Sequence, residues 1–142
     1  MTIAAILSGK GSEVVSITGE WSVADAVGLL AGKRIGAVPV MAGDAVAGIF
    51  SERDVIHCLG RDGPAALDRQ VHEVMTAPAI SVAPGDSVLG ALSLMTKRRI
   101  RHLPVIDRGQ CVGFVSIRDL VKHRIEKIES EAAAMREYIQ QV

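Results

Sequence analysis

The sequence predicts an α/β protein built as two tandem βαββα repeats, packed as one pseudo-symmetric module with a long C-terminal helix. Three observations predict it. The chain matches itself at a fixed shift of 65 positions, both copies carry the same alternation of strand and helix signals, and helical periodicity runs from Ile117 to Val142 without Pro or Gly. The match pairs Ser22 and Val23 with Ser87 and Val88, Ala26 with Ala91, Leu29 with Leu94, Arg34 and Ile35 with Arg99 and Ile100, and Pro39 and Val40 with Pro104 and Val105. It also pairs Gly48, Ser51, Arg53 and Asp54 with Gly113, Ser116, Arg118 and Asp119, with no gap between Gly19 and Ile56. Chance similarity does not keep Gly, Pro and charged residues in register over that span.

Each copy opens on a short strand, expected at Val14 to Ile17 and at Ala79 to Val82. A helix follows, opened by Ser22 or by Asp86 and Ser87, residue types that accept hydrogen bonds from the first free N–H groups. Val23, Ala26, Val27 and Leu30 have helical spacing, as do Val88, Ala91, Leu92 and Met95. A strand is expected at Gly36 to Met41 or His102 to Ile106, then a turn at Gly43 and Asp44 or at Asp107 to Gly109. The third strand, Ala45 to Phe50 or Cys111 to Val115, runs into a second helix at Ser51 or Ser116. One copy of about sixty residues is marginal for an independent core, so the two are expected to share one. The whole of 1–142 is read as a single module: repeat one over about 8–62, a linker at about 60–71, repeat two over about 72–124 and the C-terminal helix over about 117–142.

Composition narrows the function. The 142 residues are 49% apolar, and 16 basic side chains balance 16 acidic ones. The net charge is zero, without the basic excess of a nucleic-acid binder or the like-charge block of a disordered tail. Trp21, Phe50, Phe114 and Tyr138 are the only aromatic residues, so the core must come from Val, Ile, Leu, Ala and Met. Cys58 and Cys111 have neither CxxC spacing nor a disulfide framework, which fits a reducing compartment. The apolar run Ile3 to Leu7 is too short for a signal segment and no stretch approaches a membrane span, giving the expectation of a cytoplasmic protein without membrane contact. His57, His72, His102 and His123 lack metal-ligand spacing, and neither GxGxxG nor a P-loop is present. No acid, base and nucleophile constellation recommends an enzyme. Cys111 replaces Val46 of the first copy inside a strand and reads as a core residue, while a thiol-sensor role for Cys58 stays open.

Two motif sets then carry a family resemblance. They are Lys33-Arg34-Ile35-Gly36-Ala37-Val38-Pro39-Val40 with Gly48-Ile49-Phe50-Ser51-Glu52-Arg53-Asp54, and Arg99-Ile100-Arg101-His102-Leu103-Pro104-Val105-Ile106-Asp107 with Gly113-Phe114-Val115-Ser116-Ile117-Arg118-Asp119. With Val74-Met75-Thr76 ahead of the second set, the chain resembles a CBS-domain pair, or Bateman module. The opening from Ile6 and Leu7 through Lys10 and Gly11 to Val14 and Val15 resembles a stand-alone bacterial type. The resemblance covers almost the whole chain and implies a regulatory module that binds an adenine nucleotide without catalysis: AMP first, with ADP, ATP and NAD(H) as alternatives.

The repeated Gly-x-x-Ser-x-x-Asp places Ser51 and Asp54, and Ser116 and Asp119, where a strand ends and a helix begins. By resemblance the Asp holds a ribose diol and the Ser lies near phosphate, where free N–H groups of the helix start also favour an anion. The same pattern reads equally as a helix capping box, and both roles can coexist. The resemblance implies an adenine slot from Pro78, Ile80, Ile100, His102 and Leu103 in the second copy and from Val15, Ile35, Ala37 and Val38 in the first, residues that core packing would also explain. Arg53 and Arg118 precede the two Asp residues, and Arg101, with Gly36 as its counterpart, is the expected phosphate ligand.

In the C-terminal segment Val121, Ile125, Ile128, Ala132, Met135, Ile139 and Val142 recur at alternating steps of four and three, the spacing of a coiled-coil seam. A homodimer is expected, with this helix in its interface, and a regulated protein of unknown identity. The rival reading is a structural dimerisation module with non-functional pockets.

Overall fold

The structure, a computed structural model, describes residues 1–11 and 13–141. Its elements in chain order are α1 (Ile3–Lys10), β1 (Ile17–Thr18), α2 (Val23–Lys33), β2 (Ala37–Ala42), β3 (Ala45–Ser51), α3 (Glu52–Asp62), a 3-10 turn (Gly63–Asp68), α4 (Val71–Val74), α5 (Val88–Arg98), β4 (His102–Asp107), β5 (Gln110–Ser116) and α6 (Ile117–Gln141). Two antiparallel hairpins dominate, β2 with β3 and β4 with β5. Each carries an irregularity at the same repeat position, between Val40 and Met41 and between Val105 and Ile106. The extra residue kinks both hairpins alike, which is the duplication expressed in backbone geometry. Ser22 Oγ accepts from Asp25 N–H at 3.0 Å and Ser87 Oγ from Gly90 N–H at 2.9 Å, fixing the starts of α2 and α5. Both helices end on an Arg in the left-handed region, Arg34 at φ 54° and Arg99 at φ 56°.

The first strand of each repeat is shorter than its sequence pattern suggests. Of Val14 to Ile17 only Ile17 is in a strand, joined by Thr18 and paired parallel to Val40 and Met41. Of Ala79 to Val82 only Val82 pairs, as a single parallel bridge to Val105. Pro78 and Pro84 flank that second stretch and supply no N–H to a ladder. Val142 of the expected C-terminal seam lies outside the described residues.

The expectation of one shared core is corrected. Two separate cores form, and each is completed by chain from the other side of the duplication. Ile3 and Ile6 of α1, which precede repeat one, are buried with Val82, Val88, Met95, Leu103, Val105, Val115 and Leu120 of repeat two. Val71, at the end of the linker, is buried with Ile17, Val23, Leu30, Val38, Val40, Phe50 and Cys58 of repeat one, and Ala66 of the 3-10 turn joins them. The crossing segments obey the same pseudo-symmetry. Val71 N–H donates to Trp21 C=O and Ile3 N–H to Asp86 C=O, while Val23 N–H donates to Arg69 C=O and Val88 N–H to Met1 C=O. Bridges Ser22–Gln70 and Thr2–Ser87 complete the correspondence. The marginal apolar content of each half is thus supplemented by a borrowed segment, and two small cores become viable. β3 and β5 approach one another between them.

The borrowed segments lie directly on the central glycine of each third strand. A methyl group on Gly48 would stand 2.7 Å from the Thr76 carbonyl oxygen, and one on Gly113 would stand 2.5 Å from Leu7 Cδ2. The first obstacle is backbone and the second the end of a half-buried, rotatable side chain. Gly48→Ala should therefore destabilise by about 1–3 kcal/mol, and Gly113→Ala by less, read as the shift in urea midpoint at unchanged slope.

Candidate functional site

The two Ser-x-x-Asp motifs occupy the junctions β3–α3 and β5–α6, as the sequence places them, and both cap their helices. Ser51 N–H and Ser51 Oγ–H donate to Asp54 Oδ2 at 2.9 and 3.1 Å, and Asp54 N–H donates to Ser51 Oγ at 3.4 Å. Asp54 Oδ1 accepts from Thr76 Oγ1 at 2.8 Å. Both carboxylate oxygens of Asp54 are therefore engaged, and the residue is only 8% exposed. At the second junction Ser116 N–H donates to Asp119 Oδ2 at 2.9 Å and Asp119 N–H donates to Ser116 Oγ at 3.1 Å. Lys10 Nζ, from the end of α1, also donates to Asp119 Oδ2, at 2.6 Å. No hydrogen bond reaches Asp119 Oδ1 among the described residues, and this side chain is 27% exposed. The duplication has thus produced one closed and one open carboxylate.

The difference traces to the crossing segments. In repeat one the chain leaves α4 and runs extended, so that Thr76 exchanges both backbone hydrogen bonds with Ile49 and turns its hydroxyl to Asp54. In repeat two α1 continues as helix to Lys10. The Lys10 ammonium then donates to Phe114 C=O at 2.8 Å, the carbonyl equivalent to that of Ile49, and to Asp119. One lysine side chain replaces a backbone bridge and a hydroxyl.

Around Asp119 and His102 the charge is mixed. His102 lies stacked on Phe114, with ring centroids 5.6 Å apart and planes 12° from parallel. Burial, then repulsion from Lys10, depresses the His102 pKa, against the attraction of Glu52 and Asp119, and Arg101 adds a further repulsion. Burial acts to raise the Asp119 pKa, but the Lys10 and Ser116 hydrogen bonds outweigh it and hold the carboxyl below its usual range. Exposed Arg101 stands one residue before β4, with its carbonyl accepting from Ile117 N–H at 2.8 Å. At the equivalent place in repeat one, Glu52 Oε1 closes over Gly36, 2.7 Å from where a Cβ would stand. His102 Cε1 lies 3.4 Å from that same point, so the acid of repeat one and the imidazole of repeat two face one place.

The other expected site residues divide by burial. Leu103 and Val38 are buried in their own cores, so only their backbone is available to a ligand, while Ala37, also buried, lies outside both cores on the opposite face of its strand from Val38. Ile35 and Val15 pack half-buried on the first core, and Ile80 and Ile100 on the second. Pro78 is exposed and follows a cis peptide bond. Arg53 reaches across the repeats to the Arg99 carbonyl at 2.9 Å, capping the end of α5, while Arg118 is exposed on the first turn of α6. Two surface concavities lie away from this cluster, one beside β1 and the β2–β3 turn, the other where α6 passes the start of α5. Cys58 is buried and donates to Val55 C=O at 3.3 Å, and Cys111 is half-buried in β5. Among the described residues no His, Cys, Asp and Glu group is placed to hold a metal ion, and no helix is long and apolar enough to cross a membrane.

Sequence reasoning singles out neither Lys10 nor Thr76 as a site residue. Their signal is a second register: Ile3, Ile6 and Leu7 correspond to Val71, Val74 and Met75, three positions out of step with the main repeat. The closed carboxylate should matter to folding more than the open one. Asp54→Ala removes the acceptor of three donors in a buried setting and should cost about 1–3 kcal/mol, measured by urea unfolding, with Asp119→Ala costing less.

The CBS-domain family model matches residues 11–61 and 71–126. A mitochondrial CBS domain-containing protein of Arabidopsis thaliana, CBSX3, is 35% identical over 151 residues, covering 98% of this chain and 72% of that protein. The crystal structure of a CBS-domain containing protein from Agrobacterium tumefaciens superposes with a TM-score of 0.83 at 35% identity, covering 87% of this chain and 92% of that one. The CBS-domain pair of protein MJ0100, solved with 5′-methylthioadenosine and S-adenosyl-L-methionine, has the same fold, with a TM-score of 0.78 at 21% identity over 89% of this chain and 98% of that one. Two matched repeats, two hairpins kinked at equivalent positions and a pair of capped strand–helix junctions converge on one assignment: this chain belongs to the CBS-domain family, as a tandem CBS-domain pair.

Proposed function

We propose that the chain is a regulatory, non-catalytic module of the cytoplasm that binds an adenine nucleotide, AMP before ATP or NAD(H), at the β5–α6 junction and acts as a homodimer on another protein. The observation that carries this reading is the open carboxylate of Asp119, set at the start of a helix with Lys10 on it, His102 within reach of its charge and Arg101 next to His102 in the chain. A ribose diol offers two hydroxyl donors to a carboxylate, and a helix start with basic neighbours suits a phosphate. Ile80 and Ile100, half-buried beside it, offer apolar surface to a base. Protein MJ0100 lends support as a CBS pair solved with two adenosine-containing ligands. The two free cysteines support a reducing compartment. Repeat one, with both oxygens of Asp54 engaged, is the weaker of the two junctions for a ribose.

Isothermal calorimetry with AMP, ATP and NAD tests the site. Asp119→Ala should weaken the bound nucleotide about tenfold or more, the worth of a charge-assisted hydrogen bond. Unchanged affinity in a folded variant would remove the assignment.

The homodimer rests on α6. Leu120 is the one buried side chain of its 25 residues, while Val121, Ile125, Ile128, Met135 and Ile139 are exposed, Ile139 to 64%. Leaving that stripe in water costs about 25 cal/mol per Å² of apolar surface. Pairing with a second copy removes the cost. Replacing Ile128 and Met135 by Lys places charges in the seam, whose desolvation opposes association. Sedimentation should find a dimer at micromolar concentration and a weakened one in the double variant; a wild-type monomer would exclude this assembly.

A further inference from the structure

We propose that Lys10 selects which adenosines the β5–α6 junction accepts. It does so by exchanging its ion pair with Asp119 for one with an anionic group on the ligand, so that phosphorylated adenosines are favoured over uncharged ones. This rests on the functional reading above and adds to it a residue and a rule of discrimination.

The argument starts from where the ammonium sits. Lys10 Nζ is 2.6 Å from Asp119 Oδ2 and 2.8 Å from Phe114 C=O, so it holds one of the two oxygens that a diol would need. A ribose that takes both oxygens must displace it. The lysine side chain is 41% exposed and ends α1, where Gly11 in the left-handed half of backbone space (φ 94°) breaks the helix. At that exposure the four-carbon stem can swing, and a lysine ammonium re-pairs readily because it is a point charge with three rotatable donors.

What the displaced ammonium meets decides affinity. With adenosine or 5′-methylthioadenosine, the carboxylate has traded a charged partner for neutral hydroxyls, and the ammonium is left without its counter-charge. A phosphate brought in by the same ligand replaces the lost counter-charge. Uncharged nucleosides therefore break an ion pair without replacing it, whereas nucleotides exchange one ion pair for another. Repeat one has no such device. There the group on the carboxylate is the neutral Thr76 hydroxyl, and Thr76 is fixed by two backbone bonds to Ile49.

Calorimetry of the full chain with adenosine, 5′-methylthioadenosine and AMP tests this in the wild type, Lys10→Met and Lys10→Arg. The wild type should prefer AMP to both uncharged ligands by about tenfold or more, a factor typical of one charge-assisted contact. Lys10→Met, which keeps the stem and removes the charge, should weaken AMP and leave the uncharged ligands equal or tighter, collapsing that ratio. Lys10→Arg should largely preserve it. A Lys10→Met protein that loses affinity for all three ligands equally would show a purely structural lysine and overturn the proposal. So would an unchanged ratio. Should Lys10→Met fail to fold, Lys10→Gln, which also removes the charge, is read by the same ratio, and equal wild-type affinity for AMP and 5′-methylthioadenosine likewise overturns the proposal. A wild type that binds none of the three takes down the nucleotide reading itself, a result distinct from either of these.

Discussion

The crossing of two short segments is the constraint on which the rest of this molecule depends. Ile3 and Ile6 close the core of repeat two, while Val71 closes the core of repeat one with Ala66 beside it. Neither repeat has enough apolar surface of its own to offset the entropy of ordering about sixty residues. Each is completed by the stretch that precedes the other in sequence. The two halves are consequently coupled through covalent chain as well as through the approach of β3 to β5, and the loss of one segment would open the core of the opposite repeat.

The same crossing makes the pseudo-symmetry useful by breaking it. Two identical Ser-x-x-Asp caps would give two identical junctions. Because α4 stops at Val74 and α1 runs on to Lys10, one carboxylate is sealed by a hydroxyl and the other is held by a half-exposed ammonium. Helix capping and ligand binding are not rival explanations of the motif. The cap uses Oδ2 in both copies, and the fate of Oδ1 separates them: Asp54 commits it to Thr76, whereas Asp119 keeps it free of hydrogen bonds among the described residues.

What can be read from the sequence follows from how local each feature is. The hairpins, the Ser caps at 22, 87, 51 and 116, and the start of α6 depend on neighbouring residues and are legible as spacing. The first strands fall short of the sequence pattern because β-branched residues at Val14, Val15 and Ile80 signal strand while the prolines and the partner edge decide pairing. The two cores and the role of α1 are not legible for a different reason. They depend on contacts between segments far apart in sequence, such as Ile3 with Asp86 and Val71 with Trp21, and the register that encodes them is offset from the main repeat by three positions. Of the site, the motif points to Ser116, Asp119, Arg101 and His102, whereas Lys10 is brought in by tertiary contact and signalled only through the offset register of α1. Leu103 and Val38, buried in their own cores, illustrate the limit of strand patterning, which does not distinguish a slot from a core.

The helix that starts at Ser116 and Asp119 has one further property. At about 1.5 Å of rise per residue, α6 extends roughly 37 Å from that junction, and beyond Leu120 its apolar side chains are largely exposed. It is rooted at the carboxylate and free at its tip, which is the geometry of a lever. A tilt of about 6° at the root moves the far end by about 4 Å, a distance comparable to one knob of a helical seam. A small change at the capped end, where Leu120 is buried and α5 and α1 pack on the helix, is therefore magnified at the apolar stripe.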